Sequence, residues 1–179
     1  MHDPGDDELL DLVDDQDQVI GQAWRSVIYR EGRSNFRVVN AFLERSDGRL
    51  WIPRRSRQKR LFPGCLDMSM GGHVTAGETY EAALTRELWE ELRLSLADAA
   101  WSLLGHFTPH AHGVSAFMRV YRIQTDSAPD YNLDDFVEAY WLTPADLLDR
   151  IRQGDCAKDD VPRLIACCYP GGVPVATCD

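Results

Sequence analysis

No stretch of this 179-residue chain approaches the roughly 18–20 uninterrupted apolar residues that a membrane span requires. The first twenty residues carry eight acids and neither lysine nor arginine, the reverse of a signal peptide's basic start, so the expected compartment is the cytoplasm. Cysteine is sparse and odd in number: Cys65, Cys156, Cys167, Cys168 and Cys178. They form no CxxC pair matched by a second pair or by spaced histidines, which argues against structural zinc, and without an export signal they are expected as reduced thiols. Internal repeats and low-complexity tracts are missing too. Positive charge is short: 19 Lys and Arg against 29 Asp and Glu leave −10. That excludes a general binder of duplex nucleic acid, whose affinity comes from neutralising phosphates.

What is present suits one folded unit. At 44% hydrophobic and 27% charged, the chain buries a full core and is not disordered. Residues 21–60 hold eleven Arg or Lys against only Glu31, Glu44 and Asp47, a local excess that suits an anion site. The expected organisation is a loose acidic tail over 1–8, a single domain over 9–170 and a loose tail over 171–179.

Strand-type patterning covers 9–13, 18–24, 36–44 and 50–53, with Ser46-Asp47-Gly48 turning the third into the fourth as a hairpin. A basic loop follows over 54–60, then the Pro63-Gly64 turn and the alternating Met68 and Met70 before Gly71-Gly72. Leu84, Leu88 and Leu92 recur every fourth residue, so 79–94 is the clearest helix, with one buried stripe. Strands are expected again over 101–107, 114–123 and 136–142. Thr143-Pro144 opens a helix running to about residue 153, and a last amphipathic segment covers 161–169. One α+β domain accommodates all of these.

Glu87, Glu90 and Glu91 stand at i, i+3 and i+4, which stacks three carboxylates on one helix face. Unneutralised, they repel one another by ~0.5 kcal/mol or more; a divalent cation turns them into a site. Around them stand Gly72, Glu78, Arg86-Glu87-Leu88, Glu90-Glu91 and Leu94, and this frame resembles the Nudix box. One position departs: the box has Gly after the paired carboxylates, and this chain has Arg93, where a β-carbon in the left-handed region costs about 1 kcal/mol.

The resemblance implies an α/β/α sandwich, a mixed central sheet with flanking helices. It implies Glu87, Glu90 and Glu91 as ligands of Mg²⁺ or Mn²⁺, with a carbonyl near Gly71 as a further one. Arg86 is expected to pair with Glu78, holding the loop to the helix and orienting Glu87. The implied activity is cleavage of a phosphoanhydride in a nucleoside di- or triphosphate or a related diphosphate compound. Glu87 or Glu91 would take the proton from the attacking water.

The run from Pro53 to Gly64 is similar to the segment ahead of the box in isopentenyl-diphosphate isomerases and related hydrolases. That resemblance implies Arg55 and Lys59 as a diphosphate-binding pair and brings His73 near the substrate. The isomerases place a Cys immediately before the Gly-His pair, where this chain has Gly71, and their later strand carries acids that 114–123 lacks. The isomerase is therefore the disfavoured alternative, beside a nucleotide-binding module without catalysis. His110, with His106 and His112, and Glu138 are lesser candidates for base or ligand. Trp51, Tyr140 and Trp141 are candidates to stack on a base, with core packing favoured for most of them. The expected partner is a small phosphorylated molecule, most simply a nucleotide.

Overall fold

A computed structural model describes residues 7–172; residues 1–6 and 173–179, with most of both expected tails and Cys178, lie outside the described residues. The chain opens with β1 (Leu9–Val13) and β2 (Val19–Trp24), an antiparallel ribbon whose turn is tied by Asp14, which accepts from the Gln16 and Gln18 N–H groups. The short helix α1 (Arg25–Glu31), unforeseen in the sequence, follows and ends on Gly32 at φ 63°. The remaining strands are β3 (Arg37–Glu44), β4 (Leu50–Arg55), β5 (Met70–His73), β6 (Ala100–Phe107), β7 (Phe117–Gln124) and β8 (Phe136–Leu142). They make one six-stranded sheet in the order β6-β7-β3-β4-β8, with β5 also on β3. Its β3–β7 pair is parallel and the others are antiparallel.

Alternation along β3 sorts the core into two layers. Val39, Ala41 and Leu43 face Ala83, Leu84, Leu88 and Leu92 of helix α2 (Tyr80–Leu92), while Phe42 faces the opposite side. There Leu147 of α4 (Pro144–Arg152) and Leu164, Ile165 and Cys168 of α5 (Asp160–Cys168) complete the core. Helices on both faces of a mixed sheet give the α/β/α arrangement. A further short helix, α3 (Pro109–His112), lies between β6 and β7.

Two expectations need correction. The 46–48 turn makes no extended hairpin, because β3 and β4 pair only at Glu44 and Leu50. Ser69 is the reason: its hydroxyl accepts from the Leu43 N–H (2.8 Å) and donates to the Trp51 carbonyl (2.5 Å), standing where a direct ladder would run. β3 passes its edge to β5, pairing Val38 with His73 through Ala41 with Met70, and β4 pairs along its length with β8. The cysteines are not all thiols either. Cys65 and Cys156 form a disulfide across 91 residues, while Cys167 and Cys168 are free. The pairing arises because Leu66 is held between residues 156 and 158, its N–H on the Cys156 carbonyl (2.7 Å) and its carbonyl on the Lys158 N–H (2.9 Å).

Thr79 caps α2 by accepting from the Ala82 N–H, and the helix closes on Arg93 in the left-handed region at φ 53°, ψ 28°. The Arg93 N–H reaches the Trp89 carbonyl and the Leu94 N–H the Leu88 carbonyl, each at 3.2 Å, so the helix exit survives the missing glycine. Arg93→Gly should therefore stabilise the protein by about 1 kcal/mol, seen as a melting temperature about 2–4 °C higher. An unchanged or lower midpoint would show that the arginine's own hydrogen bond to the Trp89 carbonyl (3.0 Å) offsets the strain.

Candidate active site

The sequence places two glycines where β5 meets α2, and the packing shows why. A β-carbon on Gly72 would overlap the Glu87 carboxylate, so the side chain of the helix lies directly on the strand's backbone. Glu87 is buried, 8% exposed, and burial pushes its carboxyl above the usual range despite the neighbouring Arg86. Gly72→Ala should displace Glu87, destabilising the fold by about 1–3 kcal/mol and weakening divalent-ion uptake, measured by melting and by calorimetric titration. Normal ion affinity in that variant would remove Glu87 from the ligand set.

Arg86 braces the loop against the helix. Its Nε and Nη2 donate to the Glu78 carboxylate at 3.0 and 2.9 Å, Nη2 also reaches the His73 carbonyl at 2.9 Å, and Nη1 lies 2.7 Å from Glu87. Burial alone would raise the Glu78 carboxyl; bonds from Arg86 and Thr75 bring it below its ordinary value instead. Glu90 is exposed, with Arg86 Nη1 3.4 Å from its carboxylate.

Glu91 differs from both. It is half-buried, and its carboxylate receives one hydrogen bond, from the Gly71 N–H at 3.2 Å, with no cationic side chain in contact among the described residues. Burial first, then repulsion by Glu87 and Asp135, holds its carboxyl well above the usual range. Among the described residues no three His, Cys, Asp or Glu side chains close into a metal cage. The donor chemistry nonetheless fits a hard divalent ion: all the oxygens are carboxylate or carbonyl, and Glu91 lacks a counter-charge.

The basic loop reaches the same place. Arg55 donates through Nε to the Leu61 carbonyl (3.0 Å) and through Nη1 to Asp67 (2.5 Å). Lys59 is paired with Asp135. Asp67 and Asp135 both add to the repulsion felt by Glu91, so cations and carboxylates share one field. Sequence reasoning gave no part to Asp67 or Asp135, which lie 24 and 44 residues from Glu91 and come near it only through the fold.

The other candidates lie elsewhere. Both ring nitrogens of His73 are engaged within the protein, Nδ1 with Glu8 and Nε2 with the Tyr29 hydroxyl, each at 3.0 Å, which leaves neither for a phosphate. Glu138 pairs with its cross-strand neighbour Arg54 at 2.6 Å. His110 is exposed on α3, with Thr108 and the Phe117 ring as its neighbours. His106 instead lines a cavity of about 460 Å³ with Asp17, Arg37, Tyr80 and Arg119. Trp51 is buried against Phe136 and Tyr131; Tyr140 lies under Arg54 and Arg150, and Trp141 under Arg45.

The α/β/α sandwich thus sets packed carboxylates beside paired cations. The chain belongs to the Nudix family, whose NUDIX domain matches residues 34–159. A Nostoc protein described as an uncharacterized Nudix hydrolase is 56% identical over 90% of this chain and 96% of its own. A crystal structure from Deinococcus radiodurans superposes with a TM-score of 0.86 at 47% identity, covering 90% of this chain and 99% of that one. Weaker similarity extends to an isopentenyl-diphosphate isomerase of Kocuria rhizophila, 27% identical over 84% of this chain and 86% of the enzyme. The chain is thus a Nudix hydrolase by family, related at a distance to the isomerases. No helix among the described residues is long and apolar enough to cross a membrane.

Proposed function

We propose that the protein cleaves the phosphoanhydride of a nucleoside di- or triphosphate or a related diphosphate compound, with Mg²⁺ or Mn²⁺ as cofactor. Glu87, Glu90, Glu91 and the Gly71 carbonyl would hold the ion, and Arg55 and Lys59 the diphosphate. The observation that carries this reading is Glu91, a half-buried carboxylate with one backbone N–H as partner, in the same field as two held cations. A bound divalent ion supplies charge neutralisation at the phosphate oxygens and acidifies water.

The rest falls to the chain's own groups. Arg86 keeps Glu87 turned onto Gly72, so the carboxylate is set before substrate arrives. Glu87 or Glu91 would accept a proton from the attacking water. Arg55 would offer its Nη2 to one phosphate and Lys59 its remaining ammonium N–H groups to the next. Isomerisation has less support: Gly71 stands where a thiol is needed, and β7 (FMRVYRIQ) contains no acid.

The test is a panel of nucleoside di- and triphosphates with Mg²⁺ or Mn²⁺, assayed for phosphate and pyrophosphate, with isopentenyl diphosphate included. Ion-dependent release of phosphate or pyrophosphate from one or more nucleotides is expected. Binding without release would reduce the protein to a nucleotide-binding module, and conversion of isopentenyl diphosphate would restore the isomerase.

A further inference from the structure

Arg55 and Lys59 sit on a surface segment, yet both are held. Asp67 is 5% exposed, and its two oxygens are divided between partners: Oδ2 takes Arg55 Nη1, while Oδ1 takes the Met68 N–H at 2.8 Å with Lys158 at 3.7 Å. Asp135 does more than pair with Lys59. Its carbonyl accepts from the Ser56 N–H at 2.8 Å and its own N–H donates to the Asn132 carbonyl at 3.0 Å. The Lys59 N–H in turn donates to the Ser56 carbonyl at 3.1 Å, so the turn that presents Lys59 is docked on Asp135 at backbone and side chain together. The Asn132 N–H reaches the Glu91 carbonyl at 2.8 Å, which joins this assembly to α2.

Donor counting separates support from blockage. A guanidinium carries five N–H donors and an ammonium three. Within the described residues Arg55 spends one on Leu61 and one on Asp67, leaving Nη2 without a hydrogen bond; Lys59 spends one on Asp135. Each cation is fixed through part of its donor set and keeps the rest for an incoming oxygen, Arg55 through Nη2. Two long side chains would otherwise lose their rotamer freedom only on binding, at a cost in affinity.

We propose that Asp67 and Asp135 are positioning residues for the substrate's diphosphate, pre-orienting Arg55 and Lys59 beside the carboxylate helix. The inference rests on the assignment of Arg55 and Lys59 as the diphosphate pair. Its signature is on binding: a neutral side chain at 135 leaves Lys59 present but unheld, so KM rises more than kcat falls.

The experiment titrates inorganic pyrophosphate into the purified full-length chain by calorimetry and measures steady-state kinetics on the best nucleotide from the panel. Asp135→Asn should weaken pyrophosphate binding about 5–10-fold and raise KM in proportion, with Asp135→Glu recovering part of both and near-normal melting for both variants. Asp67→Asn is the second probe, read through binding per folded molecule because its site is buried. Unchanged or tighter pyrophosphate binding in Asp135→Asn would overturn the inference, tighter binding meaning that the aspartate competes with substrate. Arg55→Gln and Lys59→Gln separate the two levels. If they abolish binding while the aspartate variants do not, the positioning role fails and the diphosphate pair stands; if they bind normally, the pair itself is misassigned.

Discussion

Glu91→Gln should lose about 10²–10³-fold in turnover while melting at a higher temperature than the wild type when both are free of metal. The two effects share a cause. Glu91 is a carboxylate packed toward other carboxylates with one N–H beneath it, so in the metal-free protein its charge is a liability, and with the proposed ion it would be a ligand. A carboxyl raised in the folded state adds stability while it is protonated. That contribution is complete below the unfolded carboxyl's range and is lost as pH rises through the folded value. The amide carries no such dependence. The Gln variant's advantage should therefore be small near pH 4 and grow toward pH 8, about 2–4 °C in melting midpoint for each ~1 kcal/mol of relieved repulsion. Divalent ion should shift the order back by stabilising the wild type more than the variant. Full turnover in the variant, or a stability difference flat with pH, would remove Glu91 from the site.

Reduction of the Cys65–Cys156 bridge is the second large effect. It closes a loop of 91 residues, and in the chain-entropy account a loop of that length restrains the unfolded state by about 4–5 kcal/mol. Spread over a chain of this size, the melting midpoint should fall by about 8–20 °C on full reduction. Cys65→Ser and Cys156→Ser should each cause the same fall, and the double variant no more, because the two residues act as one unit. Equal melting in the presence and absence of reductant would mean that the bridge does not form in solution. The fold itself should persist, because Arg54 clamps the same two segments, donating to the Gly64 carbonyl at 3.0 Å and to Asp155 at 2.9 and 3.0 Å.

Much of this is legible in the sequence where local chemistry decides. The Leu84, Leu88, Leu92 stripe announces α2, the alternation over 36–44 announces β3, and Thr143-Pro144 marks the start of α4. The Gly72-to-Leu94 spacing announces the box because its contacts, Gly72 with Glu87 and Glu78 with Arg86, fall at short fixed offsets in the chain. What escapes the sequence depends on distant partners. No local signal says that a serine at 69 will divert β4 from β3, or that Cys65 will find Cys156. Helix α1 was hidden because 25–31 is short and shows Ile28 as its single buried residue. His73 stands beside a glycine in a motif and invites a functional role, yet Glu8 and Tyr29, far away in the chain, absorb both its nitrogens.

The handover of the β3 edge from β4 to β5 has a dynamic consequence. Gly71 and Gly72 belong to a strand laced to the middle of the sheet, whereas phosphate-binding glycines commonly sit in loops that open on their own. Deuterium uptake along Met70–His73 should accordingly be governed by global unfolding and lag far behind uptake in the 56–64 turn. The glycine strand then serves as a rigid anvil beneath the carboxylate helix.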